Sequence, residues 1–84
     1  SSLTSVHTVT LAALKELELP IKEDKKDQLT AKIESQFADG KTVWIDIDAV
    51  TNNSSKITIR VGTFGDESRS RKIIEKIHRH LGMK

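Results

Sequence analysis

Residues 29–49 read LTAKIESQFADGKTVWIDIDA. Two runs in this stretch alternate apolar and polar residues. Leu29, Ala31, Ile33, Ser35 and Phe37 share one face of the first, and Val43, Ile45, Ile47 and Ala49 share one face of the second. A period of two is the signature of a β-strand with one buried face. Ala38-Asp39-Gly40 lies between them, and parity sets the register. A two-residue Asp-Gly loop would pair Phe37 with Thr42 and send the two apolar sets to opposite faces. A three-residue loop with Gly40 in the left-handed conformation pairs Ser35 with Val43 and Ile33 with Ile45, which keeps one apolar face. The stretch is therefore expected to be an antiparallel hairpin with a three-residue loop.

Downstream, Ile57, Ile59 and Val61 continue the apolar face on a further strand, after a polar loop at residues 51–55. Matching faces is expected to set Ile47 opposite Ile59. Asp46 would then lie between Lys32 and Arg60 on the outer face, where opposite charges across strands contribute a few tenths to about 1 kcal/mol. Trp44 is expected near Glu34 and Gly62. Residues 66–81 read as a helix. Asp66 is placed to cap it, Glu67 adds negative charge to its first turn, and Arg79 and His80 sit near its end. Its apolar stripe is Ser70, Ile73, Ile74, Ile77 and Leu81, and Gly82 is expected to stop it.

Upstream, residues 21–24 are expected to form a short charged strand suited to a sheet edge, followed by a polar turn at residues 25–28. Residues 3–19 read as a helix, with Leu3, Val6, Val9, Thr10, Ala13, Leu14 and Leu17 at three- and four-residue steps. Pro20 cannot continue it. The order is α-β-β-β-β-α. Sequential strands usually pair, so the expected fold class is α+β: a two-layer sandwich of a four-stranded antiparallel meander with both helices on one face. The opposite face, carrying Thr30, Lys32, Glu34, Gln36, Trp44, Asp46, Asp48, Thr58 and Arg60, is expected to meet water.

The 84 residues make one small domain, 1–84, with no room for a two-lobed cleft. Charged residues are 31% and the net charge is +2, too weak a bias to argue for nucleic acid on charge alone. There is no cysteine, which excludes disulfides, thiolate catalysis and zinc–thiolate sites. No apolar run approaches the ~20 residues that cross a bilayer. The chain begins Ser1-Ser2 without methionine, so a processed product or a trimmed chain is expected, with any targeting segment removed.

Four patterns could carry chemistry. The first is the turn at residues 62–65, Gly-Thr-Phe-Gly, between a strand and a helix. A phosphate site needs free N–H groups at a helix N-terminus, but Asp66 and Glu67 stand there and would repel an anion. The turn is expected to be a structural corner. His78 and His80 are two apart and His7 is remote, unlike the i, i+4 spacing of helical metal ligands, so solvated histidines are expected. Asp46 and Asp48 alternate on an open sheet face, an exposed charge ladder rather than paired carboxylates in a cleft. The last helix, with Arg69, Arg71, Lys72, Lys76, His78, Arg79 and His80, is the best nucleic-acid candidate. Single-strand RNA binders stack bases on two or three sheet aromatics, however, and only Trp44 is expected on the open face. An outward Trp is also a common anchor for protein partners.

The helix LAALKELELP, the run LTAKIESQFADGKTVWIDI and the segment ITIRVGTFGDESRSRKIIEKI together resemble a family of small bacterial lipoprotein-like proteins, a domain of unknown function. The resemblance runs from about Val6 to Leu81. It is most specific at Ile59-Arg60-Val61-Gly62, Gly65-Asp66-Glu67, Ser70 and Ile73-Ile74. It implies a short envelope protein whose lipoprotein signal precedes one small domain. It implies no activity or ligand.

The expected function is thus a non-catalytic envelope domain acting through protein contacts, on the periplasmic side, with no cofactor or metal. Its partner would be an unidentified envelope protein, and its only membrane attachment a removed N-terminal lipid anchor. A monomer is expected. The expected interaction surface is Trp44, Arg60, Lys32 and Asp46. The alternatives are a nucleic-acid-binding module using the basic C-terminal helix with the Trp44 face, and a phosphate-handling enzyme at residues 62–65.

Overall fold

The computed structural model describes residues 2–81. Its elements are α1 (Leu3–Glu16), β1 (Ile21–Lys26), β2 (Thr30–Gln36), β3 (Thr42–Thr51), β4 (Ser54–Val61) and α2 (Glu67–His80). The strands form one antiparallel meander in the order β1-β2-β3-β4. Both helices cover the same face, because residues of α1, α2 and the inward side of the sheet join one core. The expected α+β two-layer architecture is the one observed.

The β2–β3 hairpin has the register that parity requires, with Ser35 opposite Val43 and Ile33 opposite Ile45. Gly40 donates its N–H to the Phe37 carbonyl at 2.9 Å, and Phe37 donates to Lys41 at 2.8 Å. Gly40 has φ 93°, a conformation costly for any residue with a Cβ. The three-residue loop thus ends in a glycine bulge.

The β3–β4 register corrects the sequence reading by two residues. Ile47 lies opposite Ile57, and Ile59 lies opposite Ile45. Asp46 consequently sits between Lys32 and Thr58, and Arg60 lies opposite Trp44 in place of Gly62. Parity fixes the face but not the register, since a slip of two keeps every side chain on its side. The choice falls to the turn. Residues 51–55 were expected as loop, but Thr51 pairs with Ser54, leaving Asn52-Asn53 as a tight turn with a bulge beside it.

Other boundaries move for local reasons. α1 stops at Glu16 rather than Leu19, because Glu18 takes φ 61°. Glu18 then donates to the Lys15 carbonyl at 3.0 Å and Leu19 to the Leu14 carbonyl at 2.8 Å. This is a Schellman ending, with Leu19 and Leu14 both buried, built on glutamate where glycine is usual. β1 runs to Lys26, two residues beyond expectation. The Asp27 carboxylate accepts from the N–H groups of Leu29 and Thr30, both at 2.9 Å. That turn leaves Leu29 outside β2 and 68% exposed, where an inward position was expected. Phe37 also lies just past β2, and it packs half-buried against the core. The stop expected at Gly82 lies outside the described residues.

Val43, Ile45, Ile47 and Val61 from the sheet and Leu14 and Ile77 from the helices have no exposed surface. Among the described residues the two buried polar side chains are satisfied: Thr10 donates to the Val6 carbonyl at 2.7 Å and Ser35 to the Pro20 carbonyl at 2.6 Å. Ion pairs join the elements at the rim. His7 of α1 meets Asp24 of β1 at 2.7 Å, and Glu16 of α1 meets both Lys76 and His80 of α2. His80 and then Lys76 hold the Glu16 carboxyl below its ordinary pKa. The solvated histidines expected from spacing are thus, at His7 and His80, interelement contacts.

Candidate functional site

Residues that alternate with the core strand positions face away from both helices. On this open face the strands curve around a shallow dish of about 540 Å³. One row across the sheet is Glu23, Glu34, Trp44 and Arg60, and the next is Lys25, Lys32, Asp46 and Thr58. Trp44, Arg60, Lys32 and Asp46, singled out from sequence, all line it, together with Glu23 and Lys25 from β1. Sequence reasoning omitted Lys25 because β1 was expected to end at Asp24, and Glu23 because its partner on β2 was not assigned.

Trp44 is half-buried, and the Arg60 guanidinium carbon lies 5.4 Å from its ring centroid. A cation at that distance is attracted to the ring face, by about 0.5–1 kcal/mol at an exposed site. The Arg60 Nη2 also donates to the Thr63 carbonyl at 2.9 Å, so its head is held at both ends. The remaining charges are arranged differently. Glu23 stands directly opposite Glu34, and Lys25 opposite Lys32. Like charges facing each other across strands are destabilising. Glu23 and Lys25 relieve this along their own strand by pairing at 2.9 Å, which raises the Lys25 pKa. Among the described residues Lys32, Glu34 and Asp46 form no ion pair.

Trp44 also borders a second hollow of about 310 Å³ between the two glycine loops, with Lys41, Gly62 and Phe64. Phe64 is 99% exposed. The sequence reading of this turn rested on its glycines and left Phe64 unassigned, although an aromatic inside a Gly-x-x-Gly turn was an available signal. Gly62 and Gly65 adopt φ 71° and 83°, which explains both glycines. Beyond them the Asp66 side chain accepts from the Arg69 N–H at 3.1 Å, so the protein's own carboxylate fills the helix N-terminus. Arg69 clasps the opposing loop: its Nη1 and Nη2 donate to the two Asp39 oxygens at 3.0 and 2.7 Å, and it stacks 4.6 Å from the Phe37 ring centroid. The clasp pulls the Asp39 pKa down to about 2.

The pieces of the nucleic-acid alternative are separated. Ile73 and Ile77 of α2 join the core on the inner side of the sheet, and Trp44 is on the outer side. Arg69 and Lys76, counted there as basic surface, are engaged with Asp39 and Glu16. Asp46 and Asp48 stand in successive rows of an open surface, paired across to Thr58 and Lys56. Among the described residues no cluster of three His, Asp or Glu side chains is placed to hold a metal ion. No helix among them is long and apolar enough to cross a membrane.

Comparison with curated proteins finds no match. The sequence signature is nonetheless shared: the chain belongs to the family described as "Protein of unknown function (DUF3568)", which matches it over residues 1–80.

Proposed function

We propose that this chain is a non-catalytic binding domain that holds a protein partner against the Trp44 dish. The observation that carries this reading is the pair of like-charge contacts beside an outward tryptophan. Glu23 faces Glu34 and Lys25 faces Lys32 in the two rows that hold Trp44 and Asp46. A surface selected for sheet stability alone would exchange one member of each pair. Local rules broken together around one aromatic mark a surface selected for contact. A protein fits this dish because its charges are mixed in sign and spread over two rows, and Trp and Arg at its centre are the residue types that dominate protein interfaces.

In this reading the domain works in the bacterial envelope, on the periplasmic side, as a monomer, and a lipid anchor upstream of it supplies the membrane attachment. The resemblance of residues 6–81 to lipoprotein-like proteins supports that placement. Two experiments test the proposal. A photo-crosslinking amino acid at Thr58, with Lys72 as the control position, is placed in the full-length gene product in its own cells. A crosslink to one protein from position 58, lost on Trp44→Ala, is expected; equal labelling from both positions would refute the dish. Lipid labelling of the full-length product is expected, and an unlabelled product in the cytoplasmic fraction would refute the anchor.

A further inference from the structure

The two edges of the sheet are built differently. β1 is defended: its register shifts between Ile21 and Glu23, and Asp24 and Lys26 occupy positions opposite Ile33 and Ala31, on the core side. Bulges and inward-pointing charges are the devices that keep edges from pairing. β4 keeps an unbroken register from Ser55 to Val61. Its hydrogen bonding follows from one contact, Gly62 N–H to the Thr42 carbonyl at 2.8 Å. In an antiparallel ladder bonded and non-bonded pairs alternate. Lys56, Thr58 and Arg60 therefore bond inward to β3, and the backbone groups of Ile57 and Ile59 face outward along the edge.

The side chains beside that edge complete a slot. Below it, Ile57 and Ile59 are half-buried and border a groove of about 320 Å³ with Ile74 of α2, rimmed by Glu67 and Arg71. Above it, on the open face, the β4 residues are Lys56, Thr58 and Arg60, with no acid among them. We propose that the β4 edge takes up an extended segment of another protein as a fifth antiparallel strand, one that alternates apolar residues with acids. The apolar residues enter the groove of Ile57, Ile59 and Ile74, and the acids stand opposite the Lys56 and Arg60 side. Charge complementarity selects this occupant over a second copy of the chain, since pairing β4 with itself doubles the basic charge along the seam with no acid on either strand. The proposal rests on the edge and not on the dish.

The test uses the isotope-labelled chain and a short peptide of alternating valine and glutamate. Valines opposite Ile57 and Ile59 would direct their own amides at β4. Saturable binding is expected, with amide shifts centred on Ile57 and Ile59 and their hydrogen exchange slowed about tenfold. N-methylation of the valine amides is expected to abolish binding, and N-methylation of the glutamate amides to spare it. Lys56→Glu is expected to shift preference to a valine–lysine peptide. Shifts centred on β1 or on Trp44, equal effects of the two methylations, or no saturation by about millimolar peptide would overturn the proposal. So would a dimer of the free chain, seen by sedimentation, that the peptide fails to dissociate.

Discussion

Along β3, Val43, Ile45 and Ile47 have no exposed surface, while Trp44, Asp46 and Asp48 look outward from the same backbone. The inner face obeys the rules of stability: β-branched residues stack against their cross-strand neighbours and both helices close over them. The outer face breaks those rules, with like charges opposed at Glu23–Glu34 and Lys25–Lys32 and a tryptophan left half open. Because one strand carries both faces, backbone propensity and position in the chain cannot explain the difference. The difference teaches that the inner face makes the fold and the outer face is free to serve a partner.

The largest expected effect breaks the inner face. Ile45→Ala removes a fully buried side chain at the centre of the sheet and should cost about 3–4 kcal/mol in urea unfolding. The same truncation one residue earlier, Trp44→Ala, should cost about 1 kcal/mol, since it gives up the Arg60 contact and partial packing. Equal losses at the two positions would erase the contrast.

The rim between the faces responds to acid. Arg69 depresses the Asp39 pKa to about 2, from an ordinary value near 3.9. A group with a depressed folded pKa contributes stability above its unfolded value and loses it as pH falls through the folded one. The gap in unfolding midpoint between the parent and Arg69→Met should therefore be full above about pH 4 and shrink steadily toward pH 2. A gap independent of pH would remove the clasp from the account. The smallest effect sharpens the outer face. Glu34→Thr ends the like-charge contact with Glu23, leaves Trp44 as its other cross-strand neighbour and places a good strand former there, so stability should rise by a few tenths of a kcal/mol. A comparable fall would show that Glu34 serves the fold.

Much of this was legible in the sequence, for reasons that can be named. Alternation in residues 29–49 fixed which face of each strand is buried, and Asp39-Gly40 fixed the hairpin register through parity. The β3–β4 register was not legible, because shifting by two residues leaves the same side chains inside, and only the tight Asn52-Asn53 turn decides between the choices. That slip moved Arg60 from beside Asp46 to beside Trp44, while Lys32 kept its expected place opposite Asp46. The end of α1 was hidden for a similar reason. Glutamate at Glu18 gives no signal for a left-handed residue, and the Schellman bonds that hold it there depend on Leu19 being buried with Leu14. The charges of β1 already marked it as an edge, but its bulge and the outward backbone groups of β4 needed the third dimension, since neither can be read from residue types.

The claim that the outer face is dispensable for folding has a direct test. Lys32, Trp44, Asp46 and Arg60 are all replaced by threonine, and the variant is unfolded in urea beside the parent. The account expects stability within about 1 kcal/mol of the parent and an unchanged dependence on denaturant. A loss approaching that of Ile45→Ala would contradict it, and would return Trp44 and its neighbours to the structural framework.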